Sequence, residues 1–302
     1  MKKKRPKPKI LVVVGPTAVG KTALSIKLAK RNNGEIISAD SRQVYQNLNI
    51  GTEKITKKEM ASIPHHLLDV ANPRRALSVA QYKQLAEQAI QEIIKRNRLP
   101  IIVGGTGFYI DAIVYNRLYP SVPPQQKLRD SLEKKTAKQL HTMLTKLDPR
   151  RAKTIEKENK RRLIRAIEIA TVLGKVPRFK DGKNKYDVLQ IGLAVSDNTL
   201  RKRIHARLAK AIRKGLVAET KKLKKGGLSW KRINELGLEY RTSGMYIRGE
   251  ITKQEMTRKM QSELWQYAKR QTRWFKRDDN IQWFDPKQYK KIENNISKFL
   301  HV

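Results

Sequence analysis

The chain has 302 residues, enough for about two domains or for one core carrying a large insertion. Its 67 Lys and Arg stand against 27 Asp and Glu, a formal net charge of +40. That excess excludes an acidic solvating protein and favours a polyanionic partner, because each neutralised phosphate releases condensed counterions. The absence of cysteine excludes disulfides, thiolate metal sites and zinc fingers, and is compatible with a reducing cytosol. Residues 1–9, with Pro6 and Pro8, read as a basic flexible arm, either a solvated tail or a contact. The arm holds too few of the charges to explain the excess. Residues 10–14 (ILVVV) are a continuous β-branched run, too short for a signal peptide or a membrane span and typical of a strand buried on both faces.

Residues 22–30 switch to helical spacing with Leu24, Leu28 and Ala29, and residues 35–39 (EIISA) form a second short strand ending at Asp40. A helical stretch over residues 79–96 precedes a third strand, residues 99–103 (LPIIV), which ends at Gly104-Gly105-Thr106. Strands separated by helices predict an α/β fold: a P-loop NTPase-like parallel sheet core with crossover helices and ligand sites at the carboxyl ends of its strands. Pro120, Pro123 and Pro124 mark a change of texture, so the core's first part is placed at residues 10–118 and an inserted helical subdomain at 119–186. Residues 187–195 (DVLQIGLAV) return as a strand, and the second part of the core, 187–302, is mostly helical and basic, beginning with Leu200, Ile204, Leu208, Ile212 and Leu216 on one helix face.

Gly15, Pro16, Thr17, Ala18, Val19, Gly20, Lys21 and Thr22 spell GPTAVGKT, a match to G-x-x-x-x-G-K-[ST] lying between a strand and a helix. There, backbone N–H groups can surround a diphosphate, Lys21 adds positive charge and Thr22 offers a hydroxyl to Mg2+; a tight glycine turn without ligand is the plain alternative. Nucleotide hydrolases of this class place a magnesium-holding aspartate after a later strand, yet the strand at 99–103 ends in Gly-Gly-Thr. Asp40 is then the candidate carboxylate, although a lone Asp reads equally as a turn or cap residue. His65 and His66 have no partners at ligand spacing and read as structural; Asp69 either supports the donor site or caps a turn, the structural reading being preferred.

The order of motifs resembles the tRNA dimethylallyltransferase family, on GPTAVGKT (15–22), IISADSRQVYQNLNIGTEK (36–54), PHHLLDV (64–70), IIVGGTGFYIDAI (101–113), RRLIRAIEI (161–169) and YAKRQTRWFKR (267–277). LGLEYRTSGMYIRGEI, near residue 236, departs from the shorter glycine-tyrosine-basic pattern of the family. The resemblance implies a monomeric cytoplasmic enzyme that moves the dimethylallyl group of dimethylallyl diphosphate to N6 of the adenosine 3′ of the tRNA anticodon, nucleotide 37. It implies Asp40 as general base, Thr106 and Arg207 beside the leaving diphosphate, residues 15–22 around that diphosphate, and Mg2+ with Thr22 as its protein ligand. It also implies contacts to the anticodon stem-loop from Asp40, Ser41, Arg42, Gln43, Thr106, Arg129, Arg161, Arg162, Leu163, Ile164 and Arg165. The target adenosine has to leave its stack, which places it in a channel between core and insertion. Trp274 and Phe275, interleaved with basic residues, are candidates for stacking on bases, and Trp265 and Tyr267 read as core. Two other readings remain, an ATP-dependent P-loop kinase and a nonenzymatic RNA-binding module with a phosphate loop kept as an anion site.

Overall fold

The computed structural model describes residues 6–178 and 180–301, so residues 1–5 of the expected arm lie outside the described part. The first part of the chain forms β1 (Lys9–Val14), α1 (Lys21–Arg31), β2 (Gly34–Ala39), α2 (Lys57–Met60), β3 (His65–His66), α3 (Val79–Lys95), β4 (Leu99–Gly104) and α4 (Gly107–Val114). A second group comprises β5 (Arg117–Leu118), α5 (Gln126–Glu133), α6 (Ala137–Leu147), α7 (Pro149–Thr154), α8 (Lys160–Leu173) and β6 (Lys180–Asp181). The chain closes with β7 (Asp187–Leu193), α9 (Asp197–Arg213), α10 (Leu216–Lys225), α11 (Trp230–Leu236), α12 (Leu238–Ile247), α13 (Lys253–Phe275), β8 (Ile281–Phe284) and α14 (Tyr289–His301). Lys9, assigned to the arm by composition, is the first residue of β1.

Two compact units result, one of Met1–Asn116 with Lys183–Val302, the other Arg117–Gly182. In the first, a six-stranded parallel sheet runs in the order β3-β2-β4-β1-β7-β8. The β-branched run of β1 is fully buried because it pairs on both edges and carries helices on both faces, as parallel strands require. Since all strands are parallel, the ends of β1, β2 and β4 open on the same edge of the sheet. A Cβ on Gly104 would lie 2.1 Å from the Ala39 carbonyl oxygen, so β2 and β4 exit this closely only with glycine there. At the sheet's outer side, buried Glu35 takes His66 at 2.6 Å and Arg96 at 2.7 Å, which is the structural task of that histidine.

The second unit is bounded by the antiparallel pair β5 and β6, with Arg117 opposite Asp181. It therefore begins at Arg117 and ends at Gly182, not at the proline cluster and residue 186. The two-residue strands that close it leave no periodicity in the sequence. Its core holds Leu132, Leu140, Leu144, Ala152, Ile155, Leu163, Ile164 and Ile167. Among the described residues no helix is long and apolar enough to cross a membrane.

Candidate active site at the strand ends

The loop leaving β1 needs unusual backbone: φ is 141° at Gly15, 62° at Ala18 and 114° at Gly20. A Cβ at Gly15 would meet the Leu193 carbonyl oxygen at 2.6 Å, so glycine there permits the close approach to β7. Gly20 precedes α1 and no side chain caps that helix, which leaves its first N–H groups directed at the loop as an anion site. Lys21 folds over the loop and donates to the carbonyls of Gly15 (2.9 Å) and Pro16 (2.7 Å). Burial, reinforced by the Arg207 guanidinium and only partly opposed by Asp40, pushes the Lys21 ammonium down to about 7. An anion bound here favours the charged form, so binding just above neutral pH must draw in a proton. Calorimetry with inorganic pyrophosphate in buffers of different ionisation enthalpy should therefore register net proton uptake, with affinity falling as pH rises past 7; proton release would contradict this.

Asp40 stands at the end of β2. Its Oδ1 accepts the N–H groups of Arg42 (2.8 Å) and Gln43 (3.3 Å), so the turn role is real, but among the described residues Oδ2 has no hydrogen-bond partner. Thr106, at the start of α4, accepts the Ser41 N–H through Oγ1 at 3.0 Å and thereby ties the end of β2 to that of β4. Arg207, on α9, donates from Nη1 to Thr17 Oγ1, and its Nε lies 2.6 Å from Glu53. Residues 15–22, Asp40, Thr106 and Arg207 are thus gathered in one unit at one sheet edge, although they come from four separate stretches of chain.

Several residues of this edge escape sequence reasoning. Gln271 of α13, 6% exposed, accepts the Thr17 N–H at 2.8 Å and donates to the Gly105 carbonyl at 2.9 Å, joining the phosphate loop to the Gly-Gly-Thr turn. Its signal was available: it is a glutamine in the buried stripe Met256, Met260, Leu264, Phe275. Glu239 falls in the segment that departs from the family pattern. Burial pushes its carboxyl up to about 7, with Arg207, Asp40 and Arg42 close enough to contribute. Tyr267, read as core, is only partly buried, and its hydroxyl lies in the field of Asp40, Arg42, Glu239 and Arg207, with burial raising it above the usual phenol range.

Other expected residues are placed differently. Arg42 donates to the Glu235 carbonyl at 2.7 Å, and Gln43 to the carbonyls of Thr52 (3.2 Å) and Glu53 (3.4 Å), so both brace the site's loops. Asp69 pairs with Lys54 at 2.6 Å. Phe275 is buried, which removes it as a base-stacking residue; Trp274 is half-buried, leans on Phe108 and carries Arg277 over its ring. In the second unit, Leu163 and Ile164 point into the core and do not offer their side chains to RNA, because the matching stretch spans both faces of α8. Arg129 and Arg165 hold the fully buried Glu168, the former by two bonds of 2.9 Å, and the Gln125 N–H adds a third donor. Burial alone would raise the Glu168 carboxyl, but these donors hold it below the usual range. Arg161 and Arg162 are exposed on the opposite face, Arg162 pairing with Glu156 at 3.1 Å.

Residues 43–278 match the family model described as IPP transferase. The tRNA dimethylallyltransferase of Anoxybacillus flavithermus is 41% identical over 97% of this chain and 95% of its own, and that of Limosilactobacillus reuteri is 41% identical over 97% and 98%. Among solved structures, the full-length tRNA isopentenylpyrophosphate transferase from Bacillus halodurans superposes with a TM-score of 0.75 at 37% identity, covering 98% of this chain and 97% of that one. A eukaryotic dimethylallyltransferase acting on tRNA gives a TM-score of 0.78 at 28% identity over 92% of this chain and 74% of that one.

Proposed function

The chain belongs to the IPP transferase family, and from that premise we propose that it is a tRNA dimethylallyltransferase, moving the dimethylallyl group of dimethylallyl diphosphate onto N6 of the adenosine 3′ of the anticodon. The observation that carries this reading is Asp40: one carboxylate oxygen closes a turn while the other has no hydrogen-bond partner among the described residues, beside a phosphate loop that has no partner aspartate at the end of β4. The exocyclic amine is a poor nucleophile because its lone pair is delocalised into the ring. As the N6–C bond forms, Asp40 Oδ2 accepts the amine proton; the C–O bond to the diphosphate breaks and the electron pair leaves on oxygen. Charge then develops beside the first N–H groups of α1, the Lys21 ammonium and the Arg207 guanidinium, whose dipoles and positive charge stabilise a leaving anion.

The residues also suit magnesium. The Thr22 hydroxyl, exposed in the first turn of α1, is a hard oxygen donor next to the anion site, and Mg2+ with Thr22 as its protein ligand would neutralise diphosphate charge. The proposed enzyme is a cytoplasmic monomer: the residues assigned to the transfer lie within one compact unit, and its substrate is tRNA. Of the arginines expected at the tRNA, exposed Arg161 contributes most plainly to the phosphate backbone. Arg161→Ala should lower tRNA affinity and reduce the slope of log K against log salt by about one phosphate's share; an unchanged slope removes this residue from the contact.

The test of the function is direct. The protein is incubated with unmodified tRNA, Mg2+ and dimethylallyl diphosphate without ATP, the RNA is digested, and nucleosides are read by mass spectrometry. Isopentenyladenosine is expected; its absence, or its dependence on ATP, would overturn the reading.

A further inference from the structure

Glu53 is the carboxylate that grips Arg207, and its surroundings are built to keep it there. Its backbone sits at φ 46°, a region that residues with side chains seldom occupy. The loop around it is braced from several sides. Glu219 of α10 accepts the N–H groups of Asn49 (3.0 Å), Ile50 (2.8 Å) and Gly51 (3.0 Å), as well as the Tyr240 hydroxyl (2.7 Å). The Thr52 hydroxyl donates to the Leu48 carbonyl at 2.6 Å. Gln43 donates to the carbonyl of Glu53 itself. Such over-determination of a strained residue is characteristic of a site where side-chain placement matters.

Arg207 engages both partners in one pose: Nε faces Glu53 at 2.6 Å while Nη1 donates to Thr17 of the phosphate loop. Glu53 therefore stands behind the guanidinium and does not draw it away from the loop. We propose that Glu53 is a positioning residue for departure of the diphosphate, fixing Arg207 through Nε so that the remaining N–H groups of the guanidinium face the leaving oxygens. The argument rests on Arg207 acting at the diphosphate, as assigned above. A planar fork held at one edge retains its direction, and an arginine left to its rotamers places the same charge less accurately when the C–O bond breaks.

A double-mutant cycle separates this from its alternatives. Turnover of wild type, Glu53→Ala, Glu53→Gln, Arg207→Ala and the double variant Glu53→Ala/Arg207→Ala is measured with saturating tRNA and varied dimethylallyl diphosphate. Glu53→Ala should lower kcat by roughly 10- to 100-fold with a much smaller change in KM for the donor. Glu53→Gln, whose amide oxygen still accepts the Nε–H, should recover part of the loss. In the Arg207→Ala protein, Glu53→Ala should add little, because the residue it acts through is gone. Both Glu53 variants should keep the wild-type thermal midpoint, the side chain being 35% exposed. A kcat for Glu53→Ala equal to or above wild type, with Arg207→Ala slow, overturns the positioning role and would instead mark Glu53 as a competitor of the diphosphate. A loss that multiplies undiminished in the Arg207→Ala protein, and that glutamine does not rescue, also overturns it. Full turnover of Arg207→Ala would overturn the assignment of Arg207 itself, and the inference with it.

Discussion

Asp40→Asn is expected to lower kcat by about 10²- to 10⁴-fold, the usual worth of a positioned general base, while leaving tRNA affinity largely intact. The asparagine is nearly isosteric, and its amide oxygen can still accept the Arg42 and Gln43 N–H groups that Asp40 Oδ1 accepts now, so the turn at the end of β2 survives. What is lost is the free oxygen able to take the N6 proton, an interaction that belongs to the transition state and not to tRNA binding. Single-turnover rates and filter-binding affinities on the same preparations decide the matter. Full turnover would remove Asp40 as the base. A parallel loss of rate and tRNA binding would show that the carboxylate acts in holding the tRNA and not in proton transfer alone.

Gln271→Leu carries the second large expectation. The change strands the Thr17 N–H and the Gly105 carbonyl, at a glutamine only 6% exposed, and each buried orphan costs about 1–3 kcal/mol. Stability should fall by about 2–6 kcal/mol in total, and kcat/KM for the donor should fall with it, since Thr17 also receives Arg207. Gln271→Glu retains an acceptor for the Thr17 N–H but loses the donor to Gly105, and should fall between the two. Denaturant melts and steady-state kinetics on the three proteins test this; equal stability of the leucine variant and wild type would show that the bridge between loop and turn is not needed.

These two residues show how far the sequence is legible. The strands at residues 10–14, 35–39, 99–103 and 187–195, the phosphate loop, and the strand-end positions of Asp40 and Thr106 all follow from local rules: continuous apolar runs, helical spacing, and glycine where backbone must approach backbone. Elements with too few residues to carry a period escaped, among them β3, β8 and the β5–β6 pair that sets the ends of the second unit. In the site, what escaped is reached by long-range contact. Glu53 meets Arg207, and Gln271 meets Thr17, across stretches of chain whose sequences carry no trace of the pairing. Leu163 and Ile164 show the converse limit: a stretch matched as a unit includes its buried face, and only the packing of α8 separates the arginines that reach water from the side chains that do not.

We propose that the phosphate loop grips a leaving group and handles no nucleoside triphosphate. Pyrophosphate release, followed with tRNA and dimethylallyl diphosphate in the absence of ATP, tests it most directly against the amount of isopentenyladenosine in the digested RNA. One pyrophosphate per modified adenosine is the predicted result. Product without matching pyrophosphate, or phosphate released from ATP in step with product, would contradict it.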